Sequence, residues 1–433
     1  MTGVDTAELP ALVVRGAALF LPLLPLTALC LLRPPGRRET AAMIVATAWS
    51  LLALVPLNLV AVRVGWWSFH AEGAVWQGIP VDLLLAWAVL WGALPALALR
   101  YLPVPLLVVV LVWFDTLFMP LAEPVVVLGP WWVLGELAGT AVGLIPALML
   151  AHWTLRGTLV HARMWAQAFL ALGFMVVLPV AVAVPEVAGL PAPALSVAMQ
   201  VLLVVSLPGL AAAREFAAVG NGTPLPYDPP ARLVTGGPYA YVRNPMQVTM
   251  VCVYLVLGVL HPVLWIGAVV ALAYGAGLAA WHEGAQLRAA FGERWEHYRS
   301  GVRPWVPRWR PWPGRAGGTL YVAADCSVCR EVRTWVETRR PVRLRLRPAA
   351  DHPEVLYRLT YEDALGNRWS GVAALARALE HLNLAWALAG WALSLPLVRH
   401  GVQLCADAFG GGPRPARQEP GRPTTGGAFP RGS

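Results

Sequence analysis

Of the 433 residues, 58% are hydrophobic and only 13% are charged, which excludes an ordinary soluble multidomain protein. The net charge is +9, and all 33 basic residues are arginine, because the sequence contains no lysine. Without lysine, the chain cannot form a Schiff base with retinal or pyridoxal phosphate, nor a Walker-type phosphate contact. Five cysteines, two of them in one C-x-x-C, are not typical of a secreted disulfide framework.

Long apolar stretches dominate the first two thirds of the chain. Each is long enough, or nearly so, to cross a hydrocarbon layer of about 30 Å. The nine stretches are 11–32, 41–62, 81–100, 104–127, 131–152, 164–184, 193–213, 247–262 and 263–281. The last two are separated only by His261-Pro262, which indicates a tight helical hairpin. The sequence therefore predicts an all-α polytopic membrane protein with about nine transmembrane helices.

The arginines predict the orientation. With nine crossings and the N-terminus outside, eight arginines at or near the ends of the crossings fall on one side, which is then the cytosol. They are Arg33, Arg37, Arg38, Arg100, Arg156, Arg163, Arg232 and Arg243. The opposite loops 65–80 and 123–131 contain none. We predict a multi-pass protein of the cell inner (plasma) membrane with a cytoplasmic C-terminal domain, and no nucleic-acid partner, because the positive charge follows this membrane pattern.

Beyond the ninth stretch the composition becomes charged and amphipathic. After a Trp/Pro/Arg-rich link at 302–318, the pattern predicts a small α/β domain: strands at 319–323 and 342–347, a helix at 327–338, a hairpin from 356–361 through a turn at 365–367, and helices at 372–382 and 384–399. The second of these helices is too short to span comfortably, which favours a buried or membrane-skirting position. The predicted domains are 1–160, a membrane extension of unknown role; 161–312, a membrane core with a cytosolic loop; 313–410, the α/β domain; and 411–433, a disordered tail.

A polar segment between the seventh and eighth stretches carries the first chemical pattern. Gly236 and Gly237 permit close backbone approach, and Arg243-Asn244 stand at the mouth of the next helix. An arginine is costly there unless it meets an anion. The helical hairpin returns Glu283 to the same depth. Opposite charges beside glycines at one cytosolic interface can bind a zwitterionic small molecule.

Residues 237–246, GPYAYVRNPM, followed by Glu283, Leu287, Phe291-Gly292 and Tyr298, resemble the isoprenylcysteine carboxyl methyltransferase family and its phospholipid methyltransferase relatives. The resemblance covers roughly 165–310. It implies S-adenosylmethionine as cofactor and a lipophilic acceptor, such as a prenylated molecule or a lipid, from the bilayer. The implied cofactor-binding residues are Gly237, Pro238, Tyr239, Tyr241, Arg243, Asn244, Pro245, Glu283, Trp295 and Tyr298.

Arg243 and Glu283 are the predicted catalytic residues of this part. Arg243 would orient a carboxylate acceptor, and Glu283 would take the proton of an amine or phenol, without a metal. The bland alternative is that the two pair with each other or with lipid headgroups. The sequence departs from the family at Gln247 and Thr249, where tyrosine and glycine are usual, and at Gly284, where a second glutamate is usual. His282 is either a substitute polar contact or an ordinary helix-end residue.

The second chemical pattern is the C-x-x-C of Cys326 and Cys329, which lies between a predicted strand and helix. A helix N-terminus stabilises a thiolate, so Cys326 is the predicted attacking thiol and Cys329 the resolving one, with a thiol redox partner. The segment is similar to a small thioredoxin-like family with a D-C-C signature, although Ala323 replaces an expected aspartate. A zinc site with Cys405 and a histidine, or a docking module without redox activity, are the alternatives.

The first five stretches carry no motif. Asp82, Asp115 and Glu136 lie in or near the predicted membrane, where acidic residues are functional candidates, although capping is the ordinary explanation for Asp82 and Glu136. The function that the sequence favours is a membrane methyltransferase. The rival hypotheses are a membrane thiol–disulfide oxidoreductase, in which the methyltransferase-like part holds a lipid or quinone, and a non-catalytic scaffold.

Overall fold

The computed structural model describes residues 8–183, 189–225, 227–228, 230–324 and 327–415. The chain forms two compact units. The first comprises Met1–Val182 and Asn221–Ala231, and the second comprises Ala183–Gly220 and Arg232–Ser433. This division groups the chain differently from the domains expected at 1–160 and 161–312, which stay a prediction. The expected disordered tail lies almost entirely outside the described residues.

Within the described residues, seven helices are long and apolar enough to cross a membrane. They are α1 (Ala11–Leu32, the apolar part of the helix Glu8–Leu32), α2 (Arg37–Val64), α3 (Val81–Ala98), α4 (Val104–Ala122), α5 (Trp132–Arg156), α6 (Val160–Val182) and α7 (Ala192–Ala218). They match the first seven stretches of the sequence, so a polytopic membrane fold is confirmed. The last two stretches form shorter apolar helices, and their crossing of the membrane stays a prediction.

Small residues set the packing of the first unit. Ala42 and Ala46 on α2 and Ala147 and Ala151 on α5 are fully buried in one cluster. Alanines four residues apart lie on the same face of a helix and let two backbones approach closely. Two short antiparallel pairs connect the helices: β1 (Trp67–Phe69) with β4 (Val126–Leu128), and β2 (Val75–Trp76) with β3 (Ile79–Pro80).

The segment 221–231 belongs to the first unit because of a buried ion pair. The Arg163 guanidinium, 1% exposed as a side chain, donates to Asp228 Oδ2 at 2.6 Å. The Thr223 hydroxyl donates to the same oxygen at 2.9 Å, and Arg163 Nε donates to the Thr158 carbonyl. This part of the predicted cytosolic loop is therefore fixed by Arg163.

The membrane helices of the second unit form a packed hairpin. Helix α8 (Pro245–Leu260) ends before His261, a single 3-10 turn follows at Pro262–Leu264, and α9 (Trp265–Tyr274) returns. The predicted hairpin at His261-Pro262 is confirmed. Gly209 on α7 makes room for α8, since a Cβ there would lie 2.7 Å from Thr249 Cγ2.

Helices α10 (Ala280–Phe291) and α11 (Glu293–Gly301) lead to a four-stranded sheet in the order β6-β5-β7-β8. The strands are β5 (Gly318–Val322), β6 (Leu344–Pro348), β7 (Thr360–Asp363) and β8 (Arg368–Ser370). β5 pairs parallel with β6 and antiparallel with β7, and β7 pairs antiparallel with β8. The helix α12 (Ser327–Thr338) connects the parallel pair, as a crossover requires. The predicted α/β order is confirmed, and the thioredoxin-like assignment stays a prediction.

Three helices complete the second unit: α13 (Val372–Leu379), α14 (Leu384–Leu393) and α15 (Pro396–Ala406). The single helix predicted at 384–399 is wrong, because Pro396 cannot continue a helix and instead begins the next one. On α14, Ala387 and Trp391 are buried in a cluster with Ala211 of α7 and Tyr241. Part of this short apolar helix is therefore buried, which was one of the two positions that the sequence favoured.

Candidate functional site

The two sequence blocks that resemble the methyltransferase family come together in one core of the second unit. Tyr239 of the first block packs in the same cluster as Trp295 and Tyr298 of α11. The Tyr298 hydroxyl donates to the Tyr239 carbonyl at 2.9 Å. The predicted meeting of two segments that are distant along the chain is therefore present.

Main-chain hydrogen bonds fix the first block against the segment that follows the second. The Arg243 N–H donates to the Arg303 carbonyl at 2.9 Å, and the Asn244 N–H donates to the Pro304 carbonyl at 3.3 Å. In the other direction, the Trp312 N–H donates to the Ala240 carbonyl at 2.8 Å. The Pro/Trp/Arg link is therefore an ordered support of the site.

The glycine pair lies directly against an acidic side chain. Gly237 has φ +53°, a conformation that favours glycine, and begins the 3-10 turn Gly237–Ala240, in which Pro238 is buried. A Cβ on Gly236 would lie 2.7 Å from Glu215 Oε1, and one on Gly237 would lie 3.3 Å from Glu215 Cγ. Glu215 therefore occupies the space that side chains at 236 and 237 would need.

Arg243 reaches the entrance of α8 with its charge unbalanced. Its guanidinium carbon lies 5.8 Å from the ring centroid of Trp295, and Nη1 donates to the Arg299 carbonyl at 3.2 Å. Burial lowers the pKa of the Arg243 guanidinium below its ordinary value. No carboxylate among the described residues forms an ion pair with it. Its remaining N–H groups can bind an anion in a bidentate manner.

Glu283, in the first turn of α10, is half-buried, and burial raises the pKa of its carboxyl group. The helix that carries Glu283 packs through Leu287 and Phe291 against the cluster that contains Tyr239. Burial, with smaller contributions from Tyr298, Glu283 and Glu215, raises the pKa of the Tyr239 phenol well above the ordinary value. In the part of the chain that the structure describes, Glu283 has neither a hydrogen-bond donor nor an ion-pair partner. The alternative that Arg243 and Glu283 pair with each other is therefore wrong for this structure.

Two buried polar atoms near these charges also lack partners among the described residues. They are the Tyr239 hydroxyl and the indole Nε1 of Trp295, on side chains that are 7% and 6% exposed. A buried donor without a partner is costly, and such groups are usually satisfied by protein, water or a ligand. The cluster therefore offers a carboxylate, a guanidinium and two uncommitted hydrogen-bonding groups.

The remaining predicted residues of the block have different surroundings. Asn244 precedes α8 without capping it through its side chain, and Pro245 is the first helical residue. Tyr241 points elsewhere: its hydroxyl donates to the Glu380 carbonyl at 3.0 Å, and its ring meets Trp391 edge-on. We therefore leave Tyr241 out of the proposed pocket.

The departures from the family pattern occupy tight positions. Thr249 is buried against Gly209, and its Oγ1 has no partner among the described residues. A Cβ on Gly275, which begins a π-helical turn at Gly275–Ala279, would lie 3.1 Å from the buried Gln247 Oε1. Gly284 has open space around its Cβ position. The side chain of His282 lies outside the described residues.

The C-x-x-C is only partly described. Cys326 and the preceding Asp325 lie outside the described residues. Cys329 lies in the first turn of α12, half-buried against the core of the sheet. The roles of Cys326 and Cys329 as attacking and resolving thiols stay a prediction.

A buried ionic cluster behind the glycine pair was not predicted. Arg377 Nη1 donates to Glu215 Oε2 at 2.5 Å and lies 3.3 Å from Glu380 Oε2, while Arg315 Nη1 donates to the Glu380 carbonyl at 2.6 Å. We call these four residues the Glu215–Arg377 cluster. A carboxylate at the end of the apolar helix α7 was the available signal, because it requires a partner. No sequence pattern indicated that Arg377 is that partner.

Residues 193–294 match the model of the phospholipid methyltransferase family. The match contains α7 to α10, the glycine pair, Arg243 and Glu283, and ends just before Trp295 and Tyr298. Comparison with curated proteins and with solved structures gave no significant match. Together with the apolar helices, the family match indicates a membrane methyltransferase that acts on a lipid or lipophilic acceptor.

Proposed function

We propose that the chain is an S-adenosylmethionine-dependent methyltransferase with its cofactor site between the block 237–246 and helices α10 and α11. The observation that carries the proposal is that two opposite charges inside the matched region, Arg243 and Glu283, lack ion-pair partners among the described residues. Arg243 contacts Trp295, and the helix that carries Glu283 packs against the cluster that contains Trp295. The distribution of arginines supports a cytosolic position for this site.

The residues present fit the cofactor chemically. S-adenosylmethionine carries a carboxylate, an ammonium group, a ribose and an adenine, and supplies a methyl group bound to a sulfonium. Arg243 would bind the carboxylate, and Glu283 the ammonium group or the ribose hydroxyls. The unpartnered Tyr239 hydroxyl and Trp295 N–H supply further polar contacts, and the rings of Trp295 and Tyr298 supply flat walls for adenine.

The residues of the chain contribute positioning and exclusion of water. Methyl transfer requires an aligned nucleophile in a dry site, and orientation can supply about 7–11 kcal/mol of the barrier. The Tyr298 hydroxyl bond to the Tyr239 carbonyl and the main-chain bonds at Arg243 and Asn244 hold this geometry. The buried cluster of Tyr239, Trp295 and Tyr298 keeps water from one side.

The acceptor decides whether a base is needed. A carboxylate acceptor is already a nucleophile, and Arg243 would only orient it. An amine or phenol must lose a proton, and Glu283, whose pKa is raised by burial, is the group that would receive it. We propose a lipophilic acceptor that enters from the bilayer, for carboxyl O-methylation or for lipid N- or O-methylation.

Binding of labelled S-adenosylmethionine to the full chain in nanodiscs tests the proposal. We expect Arg243→Ala and Glu283→Ala each to weaken binding by more than about tenfold, since each removes a charged partner. The matched controls are Arg288→Ala and Glu293→Ala, which change exposed charges on α10 and α11, together with Cys326→Ser. These should bind as the wild type does.

Absence of binding to the wild-type protein, or equal losses in the controls, would contradict the cofactor assignment. A second measurement addresses the acceptor: a lipid extract is incubated with the labelled cofactor and searched for a newly labelled species. We expect label in the organic phase with the wild type and none with Arg243→Ala.

A further inference from the structure

The first unit contains a cavity that the methyltransferase proposal does not use. Its volume is about 230 Å³, and it lies between α1, α3 and α4. Its walls are almost entirely apolar, and Asp115 is the one ionisable residue among them. Apolar cavities with a single polar group are typical of small-molecule sites.

Asp115 is a strongly buried acceptor without a counter-ion. The residue is 3% exposed, and its Oδ2 accepts a hydrogen bond from the Trp91 indole at 2.5 Å. The Trp87 ring also lines the cavity. No arginine or histidine among the described residues forms an ion pair with Asp115. Burial disfavours a carboxylate that has no counter-ion, so a ligand that supplies a positive charge would stabilise the ionised form of Asp115.

Two further acceptors occur in this unit. Glu136 is 5% exposed, and its Oε1 has no partner among the described residues. On α1, Pro22 has no N–H to donate to the Ala18 carbonyl four residues earlier, and both residues line the cavity. The ligand that this chemistry favours is therefore a hydrogen-bond donor with positive charge.

The cavity opens toward lipid. Three of its lining residues, Leu21, Phe118 and Leu121, are 49%, 45% and 68% exposed on membrane-spanning helices. A molecule that enters between them comes from the hydrocarbon layer and is itself apolar over most of its length. An aqueous metal ion does not fit this route, because its dehydration is costly.

We propose that this cavity binds an alkyl ammonium compound, with the ammonium group on Asp115 and the hydrocarbon tail along α1 and α4. The ammonium group donates to the carboxylate and to the Ala18 carbonyl, which satisfies both acceptors. The tail replaces lipid contacts with the apolar walls. The proposal does not depend on methyl transfer.

The test uses the full chain in phosphatidylcholine nanodiscs, with labelled octylamine and octanol as probes and empty discs as the blank. These probes share a tail and differ in the charged donor. We expect wild-type protein to bind octylamine at least about tenfold more tightly than octanol. Asp115→Asn should remove this preference, whereas Glu123→Gln, at an exposed acid of the same unit, should keep it.

Ala18→Phe, which fills the cavity, should abolish binding of both probes. Equal affinity of the wild type for octylamine and octanol would overturn the proposal, as would unchanged octylamine binding in Asp115→Asn or Ala18→Phe. The comparison of octylamine with octanol on the wild-type protein tests the proposal even where a variant fails to fold.

Discussion

The two units bury charge in opposite ways. In the second unit, the Glu215–Arg377 cluster balances two carboxylates with two guanidinium groups, all at most 16% exposed as side chains. In the first unit, Asp115 and Glu136 are both acidic, and Asp115 faces a cavity. A balanced cluster needs no ligand, whereas an excess of one sign calls for one. Arg243 and Glu283 follow the second pattern, since each is unbalanced within its own surroundings.

In a membrane protein with few charges, this contrast separates charges that stabilise the fold from charges that indicate a ligand site. Removing two charges from water costs several kcal/mol per ion, and the cost is recovered only when partners are well placed. The Glu215–Arg377 cluster has those partners and supports the glycine pair from behind. The unbalanced groups have no buried partner that offsets this cost, so we propose that they bind ligands.

The largest effect is expected in the balanced cluster. Arg377→Met leaves Glu215 and Glu380 without their shared partner and should lower the free energy of unfolding by about 3–5 kcal/mol. Denaturation in mixed micelles measures it. As a control, Arg333→Met removes an exposed i,i+4 pair with Glu337 and should cost less than about 0.5 kcal/mol. Similar losses in both variants would mean that burial and balance do not matter here.

A smaller effect is expected at the glycine pair that rests on this cluster. Gly237→Ala forces a side chain into a left-handed conformation against Glu215 and should cost about 1–2 kcal/mol, with loss of cofactor binding. Gly284→Ala, in a helix with open space around it, should instead stabilise by about 0.5–1 kcal/mol. The two variants are compared by denaturation and by binding of labelled S-adenosylmethionine. Equal changes in stability and in binding for the two variants would contradict the role proposed for the turn at Gly237.

Substitution of the unbalanced acid Asp115 should not lower the free energy of unfolding as substitution of Arg377 does. Asp115→Asn removes a buried carboxyl group that lacks a counter-ion but keeps an acceptor for the Trp91 indole, so stability should stay within about 1 kcal/mol of the wild type or rise. The same denaturation measurement checks it in the absence of added amine. A loss as large as that of Arg377→Met would show that Asp115 is a structural group.

The smallest effect concerns pH. Burial raises the pKa of Glu283 above its ordinary value of 4.5, so the folded protein holds this proton more tightly than the unfolded chain does. The associated stability is complete below 4.5 and is lost as the pH rises through the raised pKa. Glu283→Gln lacks this loss, so its unfolding temperature relative to the wild type should rise across that range without cofactor. A difference in unfolding temperature between the variant and the wild type that does not change with pH would contradict the burial of Glu283.

The sequence predicted those parts of the fold that depend on local composition. Seven membrane helices, the hairpin at His261-Pro262 and the α/β order after residue 318 follow from apolar length, proline and residue alternation. The block 237–246 that resembles the methyltransferase family was also readable, because its residues are contiguous. The break at Pro396 was missed because an apolar run conceals a helix end.

The partners of individual side chains were decided only by tertiary structure. The sequence determined that Arg243, Asp115 and Glu283 are costly charges near a membrane, since that follows from residue type and hydrophobic surroundings. It could not determine that Arg377, 162 residues away, balances Glu215, or that Arg243 and Glu283 have no partner in each other. Pairing depends on distances of a few ångströms between segments that are far apart in the chain, and periodicity carries no information about them.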